Sequence, residues 1–321
     1  MKGKTLHKAA ITVLSGSIML FTANMVQATK WVVSVYGSDS NIGTEKSPFK
    51  TISKGAEMAK PGDTVFVLEG VYRERVAPPR GGEPGRPIVY MAEPGHKVYL
   101  KGSDAWNTDW NEEGNGIFYA KPADSLFTDD VYYDDANPFK VLVSSTPWGR
   151  NGFPEFPERF PAVRYTLGQV FVDGKMWKQV PLKEEMQTEP YTWWYDWHSG
   201  NIYLNAGDNG NLLKRNIEIT TRRRVFAPHK RGLGYIHLIG FIIEHCGNQF
   251  PSGFWAIKEN AQAGAVGTRQ GHHWLIKNNV VRFANSIGVD CGAEGPDNER
   301  LEETPDLGHT KIENFSHITG T

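Results

Sequence analysis

Acidic side chains gathered in a short glycine-rich stretch are the first place to look for chemistry. The run Asp290-Cys291-Gly292-Ala293-Glu294-Gly295-Pro296-Asp297-Asn298-Glu299-Arg300 holds Asp290, Glu294, Asp297 and Glu299. Carboxylates in a loop that leaves a rigid scaffold can move protons or hold a polar ligand, and the same residues equally suit a solvated acidic loop. Trp148, in Thr146-Pro147-Trp148-Gly149-Arg150, offers an aromatic face for stacking; packing within its own Pro-rich loop is the other reading. His272 and His273 come just before a strand, where neighbours point to opposite faces, so one of them can reach a cleft. A histidine without a visible partner is weak evidence for catalysis or metal. Asp290 and Glu313 stand on consecutive repeats, but Glu313 alternates with Ile312 and so faces outward. The residues expected to touch a ligand are Trp148, His272, Asp290 and Glu294. Two thiols alone make a poor metal site, and neither metal nor cofactor is expected.

The elements that must position these residues read as a turn-rich β protein. Hydrophobic residues make up 39%, charged residues 22%, and 34 Gly with 19 Pro punctuate 321 residues. Lys and Arg number 35 against 36 Asp and Glu. That balance, without a basic block, argues against nucleic acid or an anionic membrane surface as a partner, and a neutral substrate fits better. Lys2, Lys4 and Lys8 precede an apolar run from Ala9 to Phe21, and Val26-Gln27-Ala28 carries small residues where a signal peptidase needs them. Residues 1–28 therefore read as a signal peptide and the mature protein as secreted or periplasmic. Cys246 and Cys291 are the only cysteines, so the core and not disulfides must hold the fold.

Repeats set the architecture. Trp31–Tyr36, Thr64–Leu68, Ile88–Met91 and Val98–Leu100 are short strands between Gly/Pro turns, and a helix opening at Ser47-Pro48 carries Ile52, Ala56 and Ala59 on one face. Later, Tyr235–Gly247 and His273–Asn285 superpose at an offset of 38, Leu238 on Ile276, Gly240 on Asn278, Ile243 on Val281 and Cys246 on Ala284. Because Ala284 falls beside Cys246, a Cys246–Cys291 bridge is the less favoured pairing. A third copy places Ile312 on Ile276 at an offset of 36, with Asn278 and Asn314 stacked as a structural ladder. Residues 104–215 break the rhythm with hairpin signals at Val172–Lys175 and His198–Asn201 and read as an inserted β-sandwich. In that setting the aromatic tract Tyr191–Trp197 fills a core in one reading and stacks on sugar rings in the other. The expected fold is all-β, a right-handed parallel β-helix with an N-terminal capping helix over residues 29–103, the insertion, and a continuation over residues 216–321.

Particular motifs carry a resemblance. Gly37-Ser38-Asp39, Ser47–Ile52, Pro61–Val65 and Glu69–Glu74 look like the N-terminal region of secreted β-helix carbohydrate-active proteins. With Lys101-Gly102-Ser103, Asn137–Lys140, Gly168–Gly174 and Glu218–Arg223, the chain resembles the β-xylosidases of glycoside hydrolase family 120 from about Trp31 onward. The resemblance implies retaining hydrolysis by an Asp nucleophile and a Glu acid/base, a pair that must stand about 5 Å apart. It also implies a carbohydrate substrate and sets Trp148 near the sugar. The two catalytic motifs have no match in this sequence and are expected beyond Thr321, so the chain reads as an N-terminal portion without activity of its own. A polysaccharide lyase, needing a uronate substrate and a basic residue, and a noncatalytic carbohydrate-binding solenoid are the alternatives.

Overall fold

The computed structural model describes residues 27–127, 137–141, 165–207, 211–248, 264–285, 287–291, 310–314 and 316–318. The chain is predominantly β. Strands β1 (Lys30–Val33), β2 (Thr64–Val67), β4 (Ile88–Ala92), β14 (Ile236–Ile239), β17 (Leu275–Lys277) and β20 (Lys311–Glu313) form one sheet in that order, every pair parallel. β3 (Gly70–Tyr72), β5 (Val98–Lys101), β15 (Ile242–Cys246), β18 (Val280–Ala284) and β21 (Ser316–Ile318) form a second parallel sheet. A third face pairs β16 (Val266–Gly267) with β19 (Val289–Asp290) and continues through parallel bridges from Val266 to Phe226 and from Phe226 to Val76.

Alternation explains why these segments stack. Each strand turns every second side chain inward, and parallel pairing in register lines those side chains up in columns. Val65, Tyr90, Leu238 and Ile276 make one column, Leu100, Ile243 and Val281 a second, Val76, Phe226 and Val266 a third, all fully buried in one core. Burying such a side chain stabilises by about 1.5–3 kcal/mol relative to leaving it exposed. The observed partners Leu238–Ile276, Ile243–Val281, Cys246–Ala284 and Ile276–Ile312 are those the repeat spacing predicts. Gly240, Asn278 and Asn314 occupy the same corner with φ of 86°, 56° and 47°. Gly and Asn are the residues that enter this left-handed region at least cost. Asn314 Nδ2 donates to Asn278 Oδ1 at 3.1 Å, as a ladder requires.

The helix α1 (Ile52–Met58) packs on β1 and β2 and buries Ile52, Gly55 and Ala56. It opens at Thr51 and not at Ser47-Pro48, because Phe49 pairs with β1, its amide donating to the Val32 carbonyl and its carbonyl accepting from the Ser34 amide, both at 2.9 Å. Asp39 accepts from the Lys50 and Thr51 amides, and Glu74 accepts from the amides of Ile52 and Ser53. The shared N-terminal motif is therefore a helix clamp.

Between β5 and Phe226 the chain leaves the stack. β6 (Ser103–Ala105), β7 (Asn111–Gly114), β8 (Ile117–Ala120), β9 (Val170–Val172), β10 (Lys175–Gln179), β11 (Thr192–Tyr195), β12 (Ile202–Asn205) and β13 (Ile217–Thr220) form an eight-stranded sheet. All its pairings are antiparallel except β10 with β11. A short helix, α2 (Lys183–Thr188), joins β10 to β11. Asp173 and Gly174, both at positive φ, close the β9–β10 hairpin where its turn is expected. Residues from both ends of the sheet, Val170 and Ile219 with Phe118 and Leu204, share a core separate from that of the coils. Trp193 and Tyr195 belong to it, so the aromatic tract packs inward at these positions. Neither cysteine is in a disulfide; Cys246 is buried, with its thiol donating to the Arg223 carbonyl, and Cys291 is exposed.

Candidate functional site

The inserted sheet meets the coils through a buried polar junction. Glu218 on β13 ion-pairs with Arg73 at 2.9 Å and Lys101 at 3.2 Å, and accepts from Ser103 Oγ at 2.8 Å. Lys101 also pairs with Glu244 at 3.1 Å, and Arg282 bonds the other oxygen of Glu244. His245 Nδ1 lies 2.8 Å from Ser103 Oγ. Since Ser103 donates to Glu218, its oxygen accepts from His245, which assigns the ring proton to Nδ1. The ring stacks on Phe171 with centroids 3.5 Å apart, and Phe283 stands edge-on to both. His245 and Phe283 hold φ of 66° and 52° at the ends of β15 and β18, a conformation bulky residues rarely adopt, and it lets both rings reach the inserted sheet.

Charge balance decides what these acids can do. Burial raises the Glu218 carboxyl, but hydrogen bonds from His245, Arg73 and Ser103 outweigh it and hold the group well below the usual carboxylate range. Burial pushes His245 below its ordinary value, against the pull of Glu218 and Glu244, so the ring is neutral at pH 7. Glu218 is thereby kept ionised, and both it and Glu244 are tied to cations, which suits a structural junction and not a proton donor.

Beside the junction lies a cleft of about 430 Å3, within the range of about 300–1,000 Å3 common for small-molecule sites. The inserted sheet contributes Thr166, Gln169, Trp177, Lys178 and Gln179, and the coils contribute Phe283, Ala284 and Asn285. Trp193 donates its indole N–H to the Trp177 carbonyl at 3.0 Å, which fixes the aromatic wall. Gly168 is required there because a Cβ would strike the Phe139 ring at 2.3 Å. Among the described lining residues there is no carboxylate, and Lys178 is paired with Glu189 at 2.8 Å.

Of the residues singled out from sequence, His272 sits at the corner before β17 with its Nδ1 2.8 Å from that of His273, and His273 stacks on Tyr235. Asp290 is buried on β19. Neither lines this cleft. Trp148, Glu294, Asp297, Glu299 and the signal segment up to residue 26 lie outside the described residues. Glu313 is held down to about 2 by hydrogen bonds from Lys311 and Lys277, the latter at 2.9 Å, and so belongs to an ion-pair ladder between coils. Sequence reasoning missed Gln179, Trp177 and Phe283. Only the folded insertion brings β10 against the end of β18, and no spacing along the chain announces it.

Comparison with known proteins follows the same lines. Residues 35–77 match a family described as Protein of unknown function (DUF1565), the segment that includes the Asp39 and Glu74 clamp. The chain is 31% identical over 104 residues to Uncharacterized protein YwoF of Bacillus subtilis (strain 168), covering 30% of this chain and 22% of that protein. A solved structure of XylC in complex with xylose superposes with a TM-score of 0.72 at 25% identity, over 91% of this chain and 50% of that one. The fold is therefore like that of XylC, and the chain spans half of XylC's length and about a fifth of YwoF's.

Proposed function

We propose that the protein is a secreted carbohydrate-active protein of the β-xylosidase type, a right-handed parallel β-helix interrupted by a β-sandwich, acting on neutral plant-type oligosaccharide. The observation that carries this reading is the superposition on XylC, a protein solved with xylose, over 91% of the chain. The three parallel faces, the shared core of the inserted sheet and the motifs that resemble family 120 support it. Retaining hydrolysis needs an acid that can hold a proton beside an ionised nucleophile. Glu218, held ionised by its donors, and Glu244, engaged by Lys101 and Arg282, are committed to the junction, so we assign the catalytic carboxylates to positions outside the described residues. A lyase acting on uronates needs uncompensated positive charge, and the cleft's Lys178 is already paired with Glu189.

The test is to assay purified Thr29–Thr321 with aryl β-xylosides and other aryl-glycosides, and with pectin and alginate followed by absorbance of the unsaturated product. We expect binding of xylo-oligosaccharides without turnover. Hydrolysis that disappears in D290A or E294A moves the chemistry into the loop after β19, and unsaturated product overturns the hydrolase reading.

A further inference from the structure

We propose that the cleft between the inserted sheet and the coils is a binding site for a neutral sugar, held by Gln179 and Thr166; this deepens, and rests on, the carbohydrate reading above. Two polar atoms lead to it. Gln179 Nε2 and Thr166 Oγ1 are both buried and have no hydrogen-bond partner among the described residues, and both residues line the cleft. Gln179 is held in place by its own Oε1, which accepts from the Thr166 amide at 3.0 Å, so its NH2 group is fixed with its donors unused. Native proteins seldom leave such groups orphaned, because each carries a desolvation cost that a partner would remove.

The missing partner has a definable chemistry. An amide NH2 needs an acceptor and a hydroxyl takes either role, so a ligand bearing hydroxyl groups satisfies both, whereas a cation satisfies only the hydroxyl. Apart from Lys178, the rest of the described wall is uncharged. Trp177 from the insertion and Phe283 from the coils give apolar surface, Gln169 and Asn285 add amides, and no described lining residue is acidic. A pyranose presents this combination, an apolar ring face with hydroxyls at its edge. An anionic sugar would find Lys178 already engaged with Glu189. A bound unit would bridge the insertion and the coils.

The experiment uses Thr29–Thr321 with xylose, xylobiose and xylotriose as neutral probes and galacturonate as the charged one. Binding is followed by tryptophan fluorescence and calorimetry, and unfolding midpoints are measured on the same samples. Thr166→Val removes only the unpartnered hydroxyl and keeps the shape. It should raise the unfolding midpoint while weakening neutral-sugar binding about tenfold, the size expected for one lost hydrogen bond in a desolvated site. Gln179→Glu keeps the acceptor for the Thr166 amide and replaces the unused donor; it should weaken binding at least as much. A structural role for Thr166 predicts the opposite stability change. If the wild type binds neutral sugars and both variants bind them equally well, the cleft assignment is overturned and the carbohydrate reading stands. If the wild type prefers galacturonate, the neutral class is wrong. If the wild type binds none of the sugars yet turns over a glycoside in the assays above, the cleft proposal alone falls; if it neither binds nor turns over any of them, the carbohydrate reading falls with it.

Discussion

At the scale of single residues, His245 and Glu218 make the junction sensitive to acid, and the sign follows from the direction of their shifts. His245 titrates below its ordinary value of 6.5 in the fold, so protons bind the unfolded chain more tightly. Its contribution to stability is complete above about pH 6.5 and is lost as pH falls from there toward the folded-state value. Glu218 is also depressed and acts in the same direction at lower pH, its contribution lost below its ordinary value of 4.5. The urea midpoint should therefore be flat from pH 8 to 7, decline below about 6.5, and steepen below 4.5. In H245Q the decline between pH 6.5 and 5 should flatten while the lower limb remains. A midpoint for the wild type that is unchanged between pH 7 and 5 would remove His245 from this role. None of this was legible in the sequence, because Glu218 and Lys101 are 117 residues apart and pair only once the insertion returns to the stack.

At the scale of elements, two adjacent asparagines at one corner separate visible pattern from energetic weight. Asn278 recurs as Asn314 and repeats the place of Gly240, so the alignment exposes it, yet its side chain is exposed and its conformation is what the corner needs. Asn279 does not recur in the next copy, where Phe315 follows Asn314, and the sequence offered no reason to choose it. It is buried, accepts from the Phe241 amide at 2.8 Å and donates to the Leu238 carbonyl at 2.8 Å, tying successive coils together. Replacing it strands a buried donor and a buried acceptor. N279A should cost about 3 kcal/mol, at about 1–3 kcal/mol for each orphaned group. N278G, which keeps the left-handed corner and removes only the exposed ladder bond, should stay within about 0.5 kcal/mol of wild type. Equilibrium urea unfolding of the two variants checks the contrast, and equal losses would refute it. The periodicity thus made the strands and their register readable, since columns of apolar residues leave a period in the sequence. Bonds made across coils by unrepeated residues leave none.

At the scale of the whole molecule, the described residues form two large hydrophobic cores, one running through the coils and one inside the inserted sheet, with a small third cluster of Ile117, Val180 and Met186 in the insertion. The insertion announced itself through its broken spacing and hairpin turns; how it sits on the coils did not, because that contact is built from Lys101, Phe171, Glu218, His245 and Phe283, scattered along the chain. Lys101 is the link between the bodies, bonding Glu218 of the insertion and Glu244 of the coils while only 11% exposed. Removing one partner of a buried ionic network costs about 3–5 kcal/mol, since the acids it neutralised remain. Both glutamates keep a second cation, Arg73 or Arg282, so the loss in K101M should fall at the lower end, about 3 kcal/mol. The loss should be felt between the bodies more than within either. Trp106, Trp110, Trp177, Trp193, Trp194 and Trp197 all lie in the insertion, so tryptophan fluorescence reports chiefly on that core, whereas far-UV circular dichroism reports both. For the wild type at pH 7 the two signals should trace one urea transition. In K101M they should separate, because each core keeps its own packing when the coupling between them is cut. Coincident curves in the variant, shifted together to lower urea, would mean that aromatic contact through Phe171 couples the two bodies without help from the ionic network.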